Sequence, residues 1–263
     1  MNFKDKVAIV TGASSGIGQA YCLALAAEGA TVVAAARTLG RLDESAPSRN
    51  SLAETVQKGQ GLPGRIYAQI CDIEVEADVT RMTDQTIANF GRIDVLVNNA
   101  GIYPHYNTLS IDVDTWEKSM RVNVRGAFLT IREAAPHMIR QRSGSIINLT
   151  SNAANYTPKG HAGHEDLLLY GVTKAALNRL STFMAEDLKE FGISVNSLSP
   201  GAVDTETWAT TDPKAVAEWK AQGVVKPCTP EALGPALLFL AQQTSEGVTG
   251  KILHTDEYRK SWP

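Results

Sequence analysis

Short apolar runs and longer amphipathic stretches take turns along this chain. The switching between the two periods predicts strands of a parallel sheet joined by crossover helices. The runs that predict strands are Val7–Thr11, Thr31–Ala36, Arg65–Gln69, Ile93–Asn98, Ser145–Thr150, Ser194–Leu198 and Lys251–His254. Helical spacing fills Gln19–Glu28, Glu76–Phe90, Val113–Arg140, Leu167–Phe191 and Pro230–Gln242. Segment Leu39–Gly64 breaks this rhythm: it is polar, carries Pro47, Pro63 and several glycines, and predicts a short helix within a mobile, peripheral loop. The sequence holds neither an internal repeat nor a low-complexity tract.

Composition narrows the picture without changing it. A chain of 263 residues with 43% hydrophobic content suits one buried core, so residues 1–263 are expected to form a single domain. The formal charge of −3 comes with no lysine-arginine run, which argues against a nucleic-acid partner. Met1–Lys6 enters the first strand without an apolar signal region, and no apolar run nears the roughly eighteen residues of a membrane span. A cytoplasmic protein with no membrane partner is expected. Cys22, Cys71 and Cys228 are scattered without ligand spacing, so reduced thiols are expected rather than disulfides, and no metal site.

Two local patterns carry chemistry. The first strand runs directly into Gly12-Ala13-Ser14-Ser15-Gly16-Ile17-Gly18 and then into helical spacing, the strand–turn–helix context of a nucleotide-phosphate loop. Gly12 permits the tight turn, Gly16 lets main chain approach a pyrophosphate, and Gly18 lets the helix pack on its strand. The helix N-terminus offers free N–H groups and a positive dipole end, and Ser14 and Ser15 add hydroxyl donors. The second pattern is Tyr170 and Lys174, four residues apart on one helix face. At about 4 Å and an effective dielectric of about 20 the ammonium would favour the phenolate by roughly 4 kcal/mol. That would carry a phenol toward neutral titration, where general acid–base chemistry works best.

Taken with further motifs in order, the chain resembles the short-chain dehydrogenase/reductase family in its single-domain form of about 250 residues. The motifs are the glycine loop, Asp72 after a strand, Asn98-Asn99-Ala100-Gly101, Val122-Asn123-Val124, Ser151 closing Gly144–Ser151, the Tyr170/Lys174 pair, and Pro200-Gly201. They cover Lys6 to about Gly250. The resemblance implies a Rossmann-type, doubly wound parallel sheet of about seven strands with helices on both faces. It implies an oxidoreductase moving a hydride between a nicotinamide coenzyme and a ketone or secondary alcohol, as a carbonyl reductase or alcohol dehydrogenase.

By the same resemblance Asn123, Ser151, Tyr170 and Lys174 are the expected catalytic set. Tyr170 would handle the proton, Ser151 would hold the substrate oxygen, and Lys174 would lower the tyrosine pKa and hold the nicotinamide ribose. Asn123 would bind a water linking the lysine to solvent. Expected coenzyme contacts are Gly12, Ser14, Ser15, Gly16, Ile17, Gly18, Asp72, Ile73, Asn98, Ala100, Gly101, Tyr170, Lys174, Pro200, Gly201, Val203 and Thr205, with Asp72 on the adenine and Asn98, Ala100 and Gly101 on the ribose side. The second strand ends in Ala36-Arg37, with no carboxylate to repel a 2′-phosphate and a guanidinium to grip one. NADP is therefore expected, with NAD as the alternative.

Candidate substrate contacts are Ser151, Asn152, Tyr156, Tyr103, His105 and Trp208. Between Ser151 and Tyr170 lie eighteen residues, Asn152–Leu169, about six more than family members place there. Residues 157–166 are expected to bulge at the active-site mouth, and about 204–227 to form a substrate lid. Near the C-terminus the chain reads His254-Thr255-Asp256-Glu257-Tyr258 where the family has Asp-Gly-Gly, so this turn is expected to differ. A homo-oligomer, tetramer or dimer, is the family expectation. The competing class is a dinucleotide-binding regulatory or interaction protein without turnover.

Overall fold

The structure is a computed structural model and describes residues 2–40, 49–103, 108–155, 167–205, 217, 221 and 228–263. Its centre is a parallel sheet of seven strands: β1 (Val7–Thr11), β2 (Thr31–Ala36), β3 (Arg65–Ile70), β4 (Val95–Asn98), β5 (Gly144–Leu149), β6 (Ile193–Ser199) and β7 (Ile252–His254). The spatial order is β3-β2-β1-β4-β5-β6-β7, so the chain reverses its direction of travel between β1 and β4. This is the doubly wound arrangement with helices on both faces.

Strand composition explains the burial. β1, VAIVT, is buried at all of its positions, which a strand covered on both faces requires. Its side chains alternate between two cores. Ala8 and Val10 pack with Tyr21, Cys22 and Leu25 of α1 (Gly16–Ala27) and with Leu237 and Leu240 of α7 (Gly234–Ala241). Ile9 belongs to the opposite core, with Val79 and Met82 of α3 (Glu76–Phe90), Leu129 and Met138 of α5 (Gly126–Gln141), and Leu188 of α6 (Leu168–Leu188). α3 stops where the sequence says it should, at Gly91 in the left-handed region with φ 77°.

Two expectations are corrected. The long helix predicted over Val113–Arg140 is broken by a π-helical turn, Arg121–Arg125, between α4 (Val113–Met120) and α5. There the Gly126 N–H reaches back five residues to the Arg121 carbonyl. The cause is Asn123, whose side chain is pulled inward to bond the main chain of Ile102.

The short helix expected within Leu39–Gly64 is present, but the described residues 49–58 are not peripheral. That helix is α2 (Leu52–Lys58), capped by Ser51, which accepts from the Glu54 N–H, and Leu52 and Thr55 are fully buried. The Thr55 hydroxyl donates to the carbonyl of Ala13 at 2.8 Å and accepts from Gln19 Nε2 at 3.0 Å, so this helix props up the glycine loop. Residues 157–166 lie outside the described residues, as does most of 204–227.

The C-terminus departs from glycine-rich turns as its residues demand. After β7 a single 3-10 turn, Thr255–Glu257, leads to Tyr258 and Trp262, whose rings stack against Phe239 of α7 at centroid distances of 5.7 and 5.8 Å.

Candidate functional site

The sheet's reversal point leaves a crevice above the C-terminal ends of β1 and β4, where open α/β sheets bind ligands. A cleft of about 430 Å³ opens there. Gly12, Ser14, Ser15, Gly16, Ile17, Ala36, Arg37, Asp72, Ile73, Asn99, Ala100, Gly101, Tyr170 and Thr205 all line it. A larger surface depression of about 590 Å³ near Arg142, Glu186 and Lys189 holds none of these groups.

The glycines are there for geometric reasons. Gly12 has φ 64°, and a Cβ on it would stand 2.8 Å from Ala100 Cα. A Cβ on Gly18 would run into the Gly12 carbonyl, so α1 lies directly against the turn that precedes it. Gly16 has φ 52° and faces the methyl of Thr205. No acidic residue occupies the first turn of α1, and its N-terminal dipole end opens into the cleft. A side-chain-free cradle beside a helix N-terminus fits the pyrophosphate of a dinucleotide.

Asn99 and Thr11, which the sequence reading did not assign to the site, lock this cradle. Asn99 Nδ2 donates to the carbonyls of Thr11 (2.9 Å) and Gly12 (3.1 Å), and the buried Thr11 hydroxyl accepts from the N–H groups of Asn99 and Ala100, both at 3.1 Å. A polar pair immediately after an apolar strand was the available signal. Asn98 behaves differently from its expectation: its side chain is buried, bonding Asn148 and Thr130, and is turned away from the cleft. Asn99, Ala100 and Gly101 form that wall instead.

Arg37 is exposed at the cleft edge, next to buried Ala36. One carboxylate oxygen of Asp72 accepts from the Glu74 N–H at 3.0 Å, which shapes the turn after β3. Cys71 also reaches the wall, and burial pushes its thiol up to about 12, leaving it unreactive. Pro200, Gly201 and Val203 do not reach the cleft. Val203 pairs with Cys228, and this doubling-back delivers Thr205.

Three of the four residues expected to be catalytic converge at the inner end. Ser151 stands two residues past the end of β5; its hydroxyl accepts from the Ala153 N–H at 3.2 Å and lies close enough to Tyr170 to favour its phenolate. Tyr170 stands on the first turn of α6 with its ring edge-on to Tyr103, centroids 4.6 Å apart. Lys174 is buried one turn on, its Nζ 5.5 Å from the Tyr170 ring centroid, and donates to the Leu149 carbonyl at 2.6 Å.

Asn123 is the fourth, and it supports rather than faces the cleft. It accepts from the Ile102 N–H at 2.8 Å and donates to the Ile102 carbonyl at 2.9 Å and the Thr173 hydroxyl at 3.0 Å. Both ends of its amide are thereby committed.

The electrostatics revise one expectation. The ammonium turns to a main-chain carbonyl, so burial dominates: it pushes Tyr170 up to about 12, with the Ser151 hydrogen bond pulling down, and Lys174 down to about 8. The phenol is therefore protonated at neutral pH, not a near-neutral titrator. Among the substrate candidates, Asn152 is exposed beside Ser151 and Tyr103 touches Tyr170. Tyr156, His105 and Trp208 lie outside the described residues.

Comparisons with known proteins agree with this geometry. Residues 6–215 match the family described as short chain dehydrogenase. A 3-oxoacyl-[acyl-carrier-protein] reductase of Thermotoga maritima is 32% identical over 257 residues, covering 97% of this chain and 98% of its own. The crystal structure of a short-chain type dehydrogenase/reductase from Mycobacterium marinum superposes with a TM-score of 0.83 at 30% identity, over 96% of this chain and 94% of its own. An NAD⁺-bound xylitol dehydrogenase gives a TM-score of 0.82 at 28% identity over 97% of this chain and 98% of its own. In each case the likeness spans the sheet and the cleft together.

Proposed function

The chain belongs to the short-chain dehydrogenase family, and from that premise we propose that it is an NADP-dependent reductase of ketones. Tyr170 is its proton donor. The observation that carries the reading is the pairing of Tyr170 with buried Lys174, one turn apart on α6 with the ammonium 5.5 Å from the ring, at the inner end of the cleft whose outer end is the glycine cradle.

The coenzyme, once bound, supplies the hydride; the protein orients it and manages the proton. Gly12, Ser14, Ser15, Gly16, Ile17 and the α1 N-terminus would hold the pyrophosphate, Asp72 and Ile73 the adenine, and Arg37 the 2′-phosphate. Asn99, Ala100 and Gly101 take the ribose wall, and Thr205 closes over it.

Ser151 holds the substrate oxygen next to the Tyr170 hydroxyl, a preorganised contact that strengthens as negative charge gathers there. Tyr170 donates its proton to that oxygen in reduction and reclaims it in alcohol oxidation. Held near 12, the phenol is protonated at neutral pH, the form that reduction requires. Lys174, still largely cationic at neutral pH, stabilises the phenolate left behind. Asn123 fixes Ile102 and Thr173 around them. Exposed Phe128, Val172 and Phe183 on α5 and α6 support assembly with further copies, as a dimer or tetramer.

A panel of ketones and secondary alcohols with NADPH, NADH and their oxidised forms tests the reading, followed by the near-ultraviolet absorbance of the reduced ring. Ketone reduction with NADPH preferred is expected. Coenzyme binding without turnover on any skeleton would favour a regulatory dinucleotide-binding protein instead.

A further inference from the structure

We infer that Tyr103 is a positioning residue for the proton donor: its ring holds the ring of Tyr170 in the orientation from which the hydroxyl reaches the substrate oxygen. The inference rests on the reading of Tyr170 given above, and it gives Tyr103 a task other than lining the substrate.

The turn that carries Tyr170 has little support of its own. Tyr170 is the third residue of α6, whose N-terminus has neither a side-chain cap nor an acidic residue in its first turn. The phenol oxygen stands far from the main chain, so a small rotation about the side-chain bonds displaces it widely. Against that rotation stands the Tyr103 ring, almost perpendicular to the Tyr170 ring at 83°, with centroids 4.6 Å apart. This is an edge-to-face arrangement that aromatic pairs prefer, at the close end of its range. Lys174, the other group near the ring, is drawn to the Leu149 carbonyl.

Tyr103 is itself aimed by main chain that Asn123 holds. Ile102, one residue earlier, has its N–H and its carbonyl both bound by the Asn123 amide, at 2.8 and 2.9 Å. The same amide donates to the Thr173 hydroxyl at 3.0 Å, and that hydroxyl donates to the Tyr170 carbonyl at 2.8 Å. One side chain, 1% exposed, therefore sets both the backbone that enters Tyr103 and the helix turn that carries Tyr170. Gly101 keeps the path close: a Cβ there would stand 3.2 Å from Asn123 Oδ1 and 3.7 Å from Lys174 Nζ. Gly101, Ile102 and Tyr170 line the coenzyme cleft and Tyr103 does not, so its removal spares coenzyme binding.

The test measures single-turnover reduction of aliphatic, cyclic and aryl ketones with prebound NADPH, for wild type, Tyr103→Phe, Tyr103→Leu and Tyr103→Ala, together with the NADPH dissociation constant of each. Tyr103→Leu and Tyr103→Ala are expected to slow the step about tenfold, by a similar factor on every ketone, with NADPH affinity within about twofold of wild type. Tyr103→Phe keeps the ring and stays within about twofold of the wild-type rate. Tyr103→Leu keeps bulk at this half-buried position and decides the matter if Tyr103→Ala does not fold. Added to Tyr170→Phe, Tyr103→Leu costs nothing further, because it acts through the hydroxyl already removed.

Unchanged rates, or a loss that lies in ketone affinity and varies from skeleton to skeleton, would overturn the inference. So would Tyr103→Phe as slow as Tyr103→Leu, or the whole loss persisting in the Tyr170→Phe background. Each of these leaves the reductase reading standing. A wild type inactive on every skeleton removes that reading and the inference with it.

Discussion

Replacing Thr55 with valine keeps the side chain's shape and removes one hydroxyl, which the structure uses twice. That hydroxyl donates to the Ala13 carbonyl inside the glycine loop and accepts from Gln19 Nε2, while Gln19 Oε1 accepts from Lys58. Thr55 is 0% exposed and Gln19 9%, so water does not readily replace the lost partners. Each hydrogen bond contributes roughly 1 kcal/mol, and a buried group left unpaired costs about 1–3 kcal/mol. The expected loss is about 2–4 kcal/mol, within the 5–15 kcal/mol or so of a typical domain, so the protein stays folded. For this chain length each kcal/mol lowers the melting temperature by about 2–4 °C.

Calorimetry should place Thr55→Val roughly 5–15 °C below wild type. Because Ala13 lies in the cradle, coenzyme should also bind about five- to tenfold more weakly. Thr55→Ser, with its hydroxyl restored, should recover most of both. A valine variant that melts with wild type, or a serine variant no better than valine, would refute the claim that α2 holds the glycine loop.

Two further outcomes follow from the cleft. Arg37→Ala should raise KM for NADPH roughly tenfold or more and leave KM for NADH nearly unmoved, since only the former loses a charge-assisted pair; equal effects would reject the phosphate role. Lys174, held down to about 8 against an ordinary 10.5, binds fewer protons folded than unfolded between those values. Stability therefore rises with pH across that window and is lost again as pH falls to about 8. Denaturant unfolding of Lys174→Met should lack this rise, so the variant loses ground to wild type from pH 8 to 10.5; parallel pH slopes would contradict a buried lysine.

Much of this was legible in the sequence because period and turn chemistry are local. The runs Val7–Thr11 and Thr31–Ala36 match their strands to the residue, and α3 starts and stops as its spacing and Gly91 dictate. What escaped depends on contacts between distant segments. The π turn at Arg121–Arg125 exists because Asn123 reaches across to Ile102, and α2 is buried because Thr55 meets Ala13, forty-two residues away.

The direction of the Tyr170 shift escaped for a related reason. Four-residue spacing places an ammonium near a phenol but does not reveal that the Leu149 carbonyl takes the ammonium, that Lys174 is buried, or that Tyr170 is half-buried. The motif Asn98-Asn99 showed that the turn matters but not which amide faces the cleft. Strand alternation turns Asn98 inward, and Asn99 is the one that locks the glycine loop.

The central claim is that the Tyr170 hydroxyl delivers the proton. Its most direct test is turnover of Tyr170→Phe alongside its coenzyme dissociation constant. A loss of about 10²–10⁴ in kcat with NADPH affinity within about twofold of wild type is the predicted result. Turnover within tenfold of wild type would contradict it and take Tyr170 out of the reaction.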